Sequence, residues 1–352
     1  MTILNEFEKM AEIDKEEMAK KIADLPEQVQ DAWTQSQKVI IPSYYLKVNK
    51  VVILGMGGSG ISGALVQSLF HQENEIPIFV HADYGIPALV DEKTLVIAVS
   101  YSGGTEEVLD AFVAAYSRGA KLAAITTGGK LESLARKYKA PYYKFDYPSQ
   151  PRVAVGYTFG AILGLLKKIG LGSDIYQKDI DETVSLLKKY SDLWKPDIPL
   201  RKNLAKKIAE GISGYEVVIW ANGLLENVAR RWKCQINENA KNSAYFEVIP
   251  ELSHNTICGF EFPEAKNQYI LILKSKLYHP RVSKRIEILK DILDDKQIPN
   301  LVVNLDLGAK PLSEMLIYLL LGDYVSYYLA MLHQIDPTPI DPITYFKEQL
   351  DK

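Results

Sequence analysis

Short, fully apolar runs punctuate this chain, and each is followed by a turn-forming cluster and then by apolar residues at helical spacing. Val51-Val52-Ile53-Leu54 runs straight into Gly55-Met56-Gly57-Gly58-Ser59-Gly60, with a helix predicted from Ile61. Ile78-Phe79-Val80 predicts a second strand. Thr94 to Val99 predicts a third, followed by Ser100-Tyr101-Ser102-Gly103-Gly104-Thr105 and a helix. Lys121 to Ile125 predicts a fourth, ending in Thr126-Thr127-Gly128-Gly129. Strands that are apolar on both faces, alternating with amphipathic helices, imply a parallel sheet covered by helices on both sides.

The pattern changes near Pro148 to Arg152. An apolar helix is predicted over Gly156 to Gly170, with charged helical sequence continuing to about Leu193. Trp194-Lys195-Pro196-Asp197-Ile198-Pro199 has the proline content of an interdomain linker. A second round then opens, with a helix at about 200 to 210, a strand at Val217 to Trp220 and a turn at Ala221-Asn222-Gly223. The helix after it carries Leu224, Leu225, Val228, Trp232 and Ile236 on its core-facing stripe. Strands at Tyr269 to Leu273 and Leu301 to Leu305 flank a helix at about 281 to 294. A long helix over about 311 to 333 is apolar on more than one side, as expected of a core or dimer contact. The fold class is therefore α/β: two doubly wound parallel-sheet lobes, at about 36–193 and 200–352. They follow an N-terminal segment of one or two helices, residues 1–35.

Length agrees with this division, since 352 residues exceed what one hydrophobic core usually serves. A 47% apolar content, 24% charged content and net charge of −3 describe a globular chain and argue against a nucleic-acid partner. The five histidines form no short metal-ligand spacing, so no metal site is expected. Cys234 and Cys258 lack a paired base and are expected to be packing residues. The N-terminus has no signal-peptide core, and no stretch approaches the ~18 apolar residues that span a membrane. A cytoplasmic protein without membrane attachment is expected. Twenty-one tyrosines are spread along the chain without marking a site.

Candidate chemistry begins at the strand ends. Open parallel sheets bind ligands beyond the carboxyl ends of their strands, where backbone N–H groups and the positive end of the next helix attract anions. Gly55, Gly57 and Gly60 match G-x-G-x-x-G, and Asp83 stands roughly where a ribose-binding acid would be. A nicotinamide-binding domain is therefore a genuine rival reading. A dinucleotide fold, however, needs no hydroxyl array at another strand end, and Ser100, Ser102 and Thr105 supply one. Together with Gly58 and Ser59 they could ring a compact phosphate with neutral donors. A blander reading has the serines and threonine capping a helix. A Walker A loop is excluded, because Gly128-Gly129-Lys130 is followed by leucine and lacks the upstream glycine.

The segments GMGGSG, SYSGGTEE and ITTGG resemble the sugar isomerase (SIS) domain. PRVAVGYTFG, INENAKNSAYFEVIPELSHN and GDYVSYYLAMLHQIDPTPIDPI extend the resemblance to the bifunctional phosphoglucose/phosphomannose isomerase family over nearly the whole chain. The resemblance implies interconversion of glucose 6-phosphate or mannose 6-phosphate with fructose 6-phosphate through a cis-enediol, without metal or redox cofactor. In its terms Glu238, off the apolar stripe at a helix end, is the proton-shuttling base. On position alone, Glu238 would be a surface residue mildly disfavoured by the helix dipole. His254 matches the histidine of ring opening, delivered into the partner's site of a homodimer. Arg152 matches an arginine that stabilises the enediolate, and Lys347 a lysine near the ring oxygen or C1 hydroxyl. Thr338 matches a sugar contact. A non-catalytic phosphosugar-binding regulator built on SIS lobes stands as the alternative.

Overall fold

The computed structural model describes residues 2–71, 76–172, 175–263, 267–308 and 310–350. The chain divides into two compact units. The first comprises Asp24–Lys188 with Pro311–Ser313, and the second Met1–Ala23, Lys189–Lys310 and Glu314–Lys352. Residues 1–35, expected as one segment, are thus shared between the units.

In the first unit, β1 (Lys50–Leu54), β2 (Ile78–His81), β3 (Thr94–Ser100), β4 (Lys121–Thr126) and β5 (Tyr142–Lys144) form a parallel sheet in the order β2-β1-β3-β4-β5. The apolar runs read from the sequence become its central strands, and β3 is buried along its whole length. Leu54 pairs with Ala98 and Ser100 with Thr126, so the polar turns that follow β1, β3 and β4 emerge at one edge. The three-residue β5 was not foreseen, because Tyr-Tyr-Lys is too short to carry a period. The helices are α3 (Leu25–Ser36), α4 (Gly57–Phe70), α5 (Glu106–Ser117), α6 (Gly129–Lys137), α7 (Val155–Lys168) and α8 (Gln177–Trp194), the last counted here as far as Lys188. Gly156, Gly160 and Gly164 make a smooth stripe on α7 that admits Gln28, Ala32 and Ser36 of α3. A Cβ at residue 160 would stand 3.0 Å from the Ala32 Cβ. That stripe explains why an apolar helix tolerates three glycines.

In the second unit, β6 (Glu216–Ala221), β7 (Ala244–Val248), β8 (Gln268–Lys274) and β9 (Asn300–Asn304) form a parallel sheet in the order β7-β6-β8-β9. Its helices are α1 (Phe7–Ile13), α2 (Met18–Ala23), α9 (Leu204–Ile212), α10 (Glu226–Ala240), α11 (Pro280–Asp295), α12 (Pro311–Leu332, counted here from Glu314) and α13 (Asp341–Leu350). Two short helices precede α3, so the N-terminus holds three rather than one or two. Leu225, Val228, Trp232 and Ile236 are fully buried as expected, whereas Leu224 is half-buried, and Leu224 and Leu225 both fall in a short 3-10 turn ahead of α10. Strand β7 was missed, because its Ala-Tyr-Phe-Glu-Val sequence is only partly buried.

Two expectations need correcting. Helix α12 is in fact long and apolar enough to cross a membrane by length and composition, but 94% of its most apolar window is buried inside the protein. It is a core helix, stitched by polar pins. The Arg231 guanidinium on α10 donates to both carboxylate oxygens of Asp323, at 3.2 and 3.1 Å, and Trp232 Nε1 donates to the Tyr318 carbonyl at 2.8 Å. Cys258, expected to pack, is exposed, while Cys234 is half-buried. Lys206 on α9 is buried and donates to the carbonyls of Leu4 and Pro196, both at 2.6 Å, tying the N-terminal segment and the 196 turn to this unit.

Candidate active site

The first unit brings its predicted phosphate-binding residues together. Helix α4 begins at Gly57, directly after β1, which places Gly58 and Ser59 in its first turn. The Ser59 Oγ accepts a hydrogen bond from the Tyr101 N–H at 3.1 Å, so the glycine turn and the serine turn are joined. The Ser100 and Thr105 hydroxyls lie 2.8 Å apart, and the Ser102 Oγ accepts from the Gly104 N–H at 3.2 Å. Thr105 is the N-cap residue of α5, yet its side chain turns to Ser100 and makes no capping bond. The capping explanation of these hydroxyls therefore fails at the position where it should be strongest. Ser100 is fully buried and Ser102 exposed, so the array runs from the sheet edge outward.

The third turn locks onto the second. Gly103 has φ +65°, and a Cβ there would lie 1.9 Å from the Gly128 carbonyl oxygen, so glycine is required on two counts. The Leu131 N–H donates to the Gly103 carbonyl at 2.9 Å.

Arg152 sits in a 3-10 turn, Pro151–Val153, and only 2% of its surface is exposed. That rules out the surface ion pair to which an isolated arginine after a proline would ordinarily be assigned. Its backbone leans on the glycine turn: a Cβ at Gly58 would come within 2.9 Å of the Arg152 nitrogen. From α3, the buried Gln28 side chain donates to the Val153 carbonyl at 2.8 Å and accepts from the Gly156 N–H at 3.1 Å. Gln28 escaped the sequence reading, because nothing in local spacing links residues more than a hundred positions apart.

The other predicted residues belong to the second unit. Glu238 stands in the last turn of α10 and is half-buried. The helix ends at Lys241, which is left-handed (φ 52°), and the Asn239 side chain beside Glu238 donates to Ser326 Oγ on α12 at 2.9 Å. Lys241 Nζ donates to the carbonyls of Asp336 and Pro337 at 3.0 and 3.2 Å, bringing the turn that carries Thr338 to the end of Glu238's helix. Thr338 is buried, and its N–H donates to Asp336 Oδ1 at 2.9 Å. His254 is exposed at the end of a 3-10 turn, Glu251–His254, that follows the cis Ile249-Pro250 bond. Lys347 is exposed on α13, a helix that buries none of its residues.

Asp83, the acid of the dinucleotide alternative, lies exposed after β2, and its Oδ1 accepts from the neighbouring Tyr84 N–H at 2.8 Å. Among the described residues, no group of three or more His, Cys, Asp or Glu is placed to hold a metal ion.

Residues 44–161 match the SIS domain, and residues 201–350 match the bacterial phospho-glucose isomerase C-terminal SIS domain. The chain is 40% identical over 337 residues to a bifunctional phosphoglucose/phosphomannose isomerase of Caldicellulosiruptor bescii, covering 95% of this chain and 98% of that one. It is 36% identical to the protein of the same name from Aquifex aeolicus, over 86% and 90% of the two chains. A D-glucosamine-6-phosphate 4-epimerase of Sulfolobus acidocaldarius is 31% identical over 64% of this chain and 68% of its own. Among solved structures, the C-terminal domain of glucosamine-fructose-6-phosphate aminotransferase from Francisella tularensis superposes with a TM-score of 0.70 at 16% identity. The match covers 92% of this chain and 98% of that one, a likeness of fold alone. With matched SIS models in both halves and a 40% identical relative covered almost end to end, this chain belongs to the bifunctional phosphoglucose/phosphomannose isomerase family.

Proposed function

We propose that this protein interconverts glucose 6-phosphate or mannose 6-phosphate with fructose 6-phosphate by proton transfer between C2 and C1. The observation that carries the reading is the interlocked set of turns after β1, β3 and β4, in which Ser59, Ser102 and Thr105 surround uncapped helix starts in a chain of this family. These turns hold the phosphate.

The chemistry needs a base that removes a carbon-bound proton and returns it one carbon away. Glu238 takes the C2 proton of the open-chain aldose as the C1 carbonyl oxygen gains one, giving the cis-enediol. It then delivers a proton to C1 while the O2 hydroxyl loses its own and becomes the ketose carbonyl. His254 and Lys347 serve ring opening, moving a proton onto the ring oxygen as the anomeric hydroxyl loses one. The Arg152 guanidinium, permanently charged, offsets negative charge on the enediolate oxygens. Thr338 contacts the sugar. None of these steps calls on a metal or redox cofactor.

We place the enzyme in the cytoplasm as a homodimer in which His254 serves the partner's site. Support for a dimer comes from α13, where Ile343, Tyr345, Phe346 and Leu350 are all exposed. An apolar cluster of that kind is characteristic of a surface that another chain covers.

The test is to incubate purified protein with fructose 6-phosphate and a chelator, measuring glucose 6-phosphate and mannose 6-phosphate separately. Both products should form. Glu238→Gln should lower kcat by about 10²–10⁴-fold with sugar-phosphate binding retained. A fully active variant would remove Glu238 from the chemistry, and wild-type protein that binds fructose 6-phosphate without releasing either product would identify a phosphosugar-binding regulator instead.

A further inference from the structure

The serine turn contains one side chain that none of the roles above uses. Tyr101 lies between Ser100 and Ser102, and each of its polar groups is bonded to a different part of the first lobe. Its N–H donates to Ser59 Oγ at 3.1 Å. Its carbonyl accepts from the Thr127 N–H at 3.1 Å and the Thr127 hydroxyl at 2.7 Å. Its phenol donates to the Tyr147 carbonyl at 2.6 Å and accepts from the Ser149 N–H at 2.9 Å. The ring meets Phe145 edge-on, with centroids 6.0 Å apart. One residue therefore ties together the glycine turn, the serine turn, the threonine turn and the loop at 145–149.

That loop leads into the turn that carries Arg152. It is anchored a second time by Tyr147, whose hydroxyl donates to Asp24 at 2.8 Å. Burial first, and this bond to Asp24 second, push the Tyr147 phenol well above its ordinary range and keep it a donor. Beyond Arg152, the backbone is held by Gln28. Of these anchors, Gln28 and Asp24 come from the α3 region, behind the loop, whereas Tyr101 belongs to the phosphate-binding turn itself. Its two phenol bonds set the distance between that turn and the approach to Arg152.

We propose that Tyr101 is a positioning residue: through its hydroxyl it fixes the Arg152 turn relative to the phosphate-binding turns, so that a sugar anchored by its phosphate meets the guanidinium in register. The inference rests on the isomerase reading above. A group that must face developing charge loses much of its effect when displaced by about 1 Å, even though affinity for the anchored end is unaltered.

The experiment compares full-length wild type with Tyr101→Phe, which deletes two hydrogen bonds and keeps the ring. Steady-state kcat and KM for fructose 6-phosphate are measured, together with the inhibition constant of inorganic phosphate and the thermal midpoint. The expected result is a fall in kcat of about tenfold or more, with KM and the phosphate constant within about threefold of wild type. An unchanged kcat overturns the proposal. So does a parallel loss of phosphate affinity, which would make the hydroxyl a support of the turns alone. A second measurement places Tyr101→Phe in an Arg152→Lys background. There its effect should shrink markedly, whereas two losses that simply multiply would show the residues to be independent and overturn the coupling. Absence of turnover in wild type would overturn the isomerase reading and the Tyr101 role with it, while an active wild type with an equally active Tyr101→Phe removes the Tyr101 role only.

Discussion

The two lobes share a strand order, β2-β1-β3-β4 in the first and β7-β6-β8-β9 in the second, but they finish their strand ends in opposite ways. After β1 and β3 the first lobe uses glycine, serine and threonine. Two of its backbone N–H groups there, those of Tyr101 and Gly104, donate to the small hydroxyls of Ser59 and Ser102. The corresponding edge of the second lobe is filled by phenols. The Tyr278 hydroxyl accepts from the Asn222 N–H and donates to the Leu273 carbonyl, both at 3.1 Å. The Tyr318 hydroxyl accepts from the Leu305 N–H at 3.0 Å and donates to the Lys274 carbonyl at 2.5 Å. Burial drives both phenols far above their ordinary range, so they stay neutral. One fold has thus yielded an edge of hydroxyl-lined glycine turns and an edge filled by buried phenols, and the difference lies in what fills the turn.

This contrast can be broken at three points. The largest effect is expected in the scaffold of the second lobe. Arg231→Met leaves Asp323 charged and buried between α10 and α12, and should cost about 3–5 kcal/mol of unfolding free energy. The double change with Asp323→Leu should recover most of it, read from urea midpoints. A single variant as stable as wild type would show that this pair does not hold Glu238's helix. Next comes a paired test of the two edges. Gly58→Ala pushes a Cβ to 2.9 Å from the Arg152 nitrogen and should cost about 1–3 kcal/mol while weakening inhibition by inorganic phosphate. Tyr278→Phe strips the Asn222 N–H of its acceptor, costs about 1–2 kcal/mol, and should leave phosphate inhibition unchanged. If the phosphate response followed Tyr278 rather than Gly58, the division of labour would be reversed.

The last effect, spread over a pH window rather than present at every pH, is a pH slope from Lys206. Burial lowers its ammonium pKa to about 8 from an ordinary 10.5. Between those values the unfolded chain binds more protons than the folded one, so stability rises with pH across that window, by on the order of 2 kcal/mol. In Lys206→Met, denaturation midpoints should lose that rise. A slope identical to wild type would mean that Lys206 titrates normally.

What the sequence disclosed follows how local each signal is. The turns after β1, β3 and β4 were legible because glycine, serine and threonine at strand ends constrain the backbone over a few residues. Arg152 and Glu238 were visible as residues, but only family resemblance gave them roles, since burial of one and the half-buried helix end of the other arise from tertiary packing. Tyr101 was hidden in plain view: its bonds reach Tyr147 and Ser149, and a tyrosine flanked by serines looks no different from the other twenty. Strand β7 and the three-residue β5 were missed for want of a period. The membrane-length apolarity of α12 was overlooked because Glu314 and Asp323 interrupt it, and both turn out to be buried.

Helix α12 also sets a timetable for biosynthesis. It is the last buried element of the second lobe to leave the ribosome, more than a hundred residues after β6. At ordinary elongation rates the interval is on the order of ten seconds. For the later half of it, once Lys274 has been made, β6, α10 and β8 are complete but lack the helix that covers Arg231 and Trp232. The first lobe has nearly all of its parts by then, needing only Pro311–Ser313 to follow. Nascent chains stalled within α12 should therefore expose Trp232 and be bound by holdase chaperones, while the same chain released from the ribosome should not.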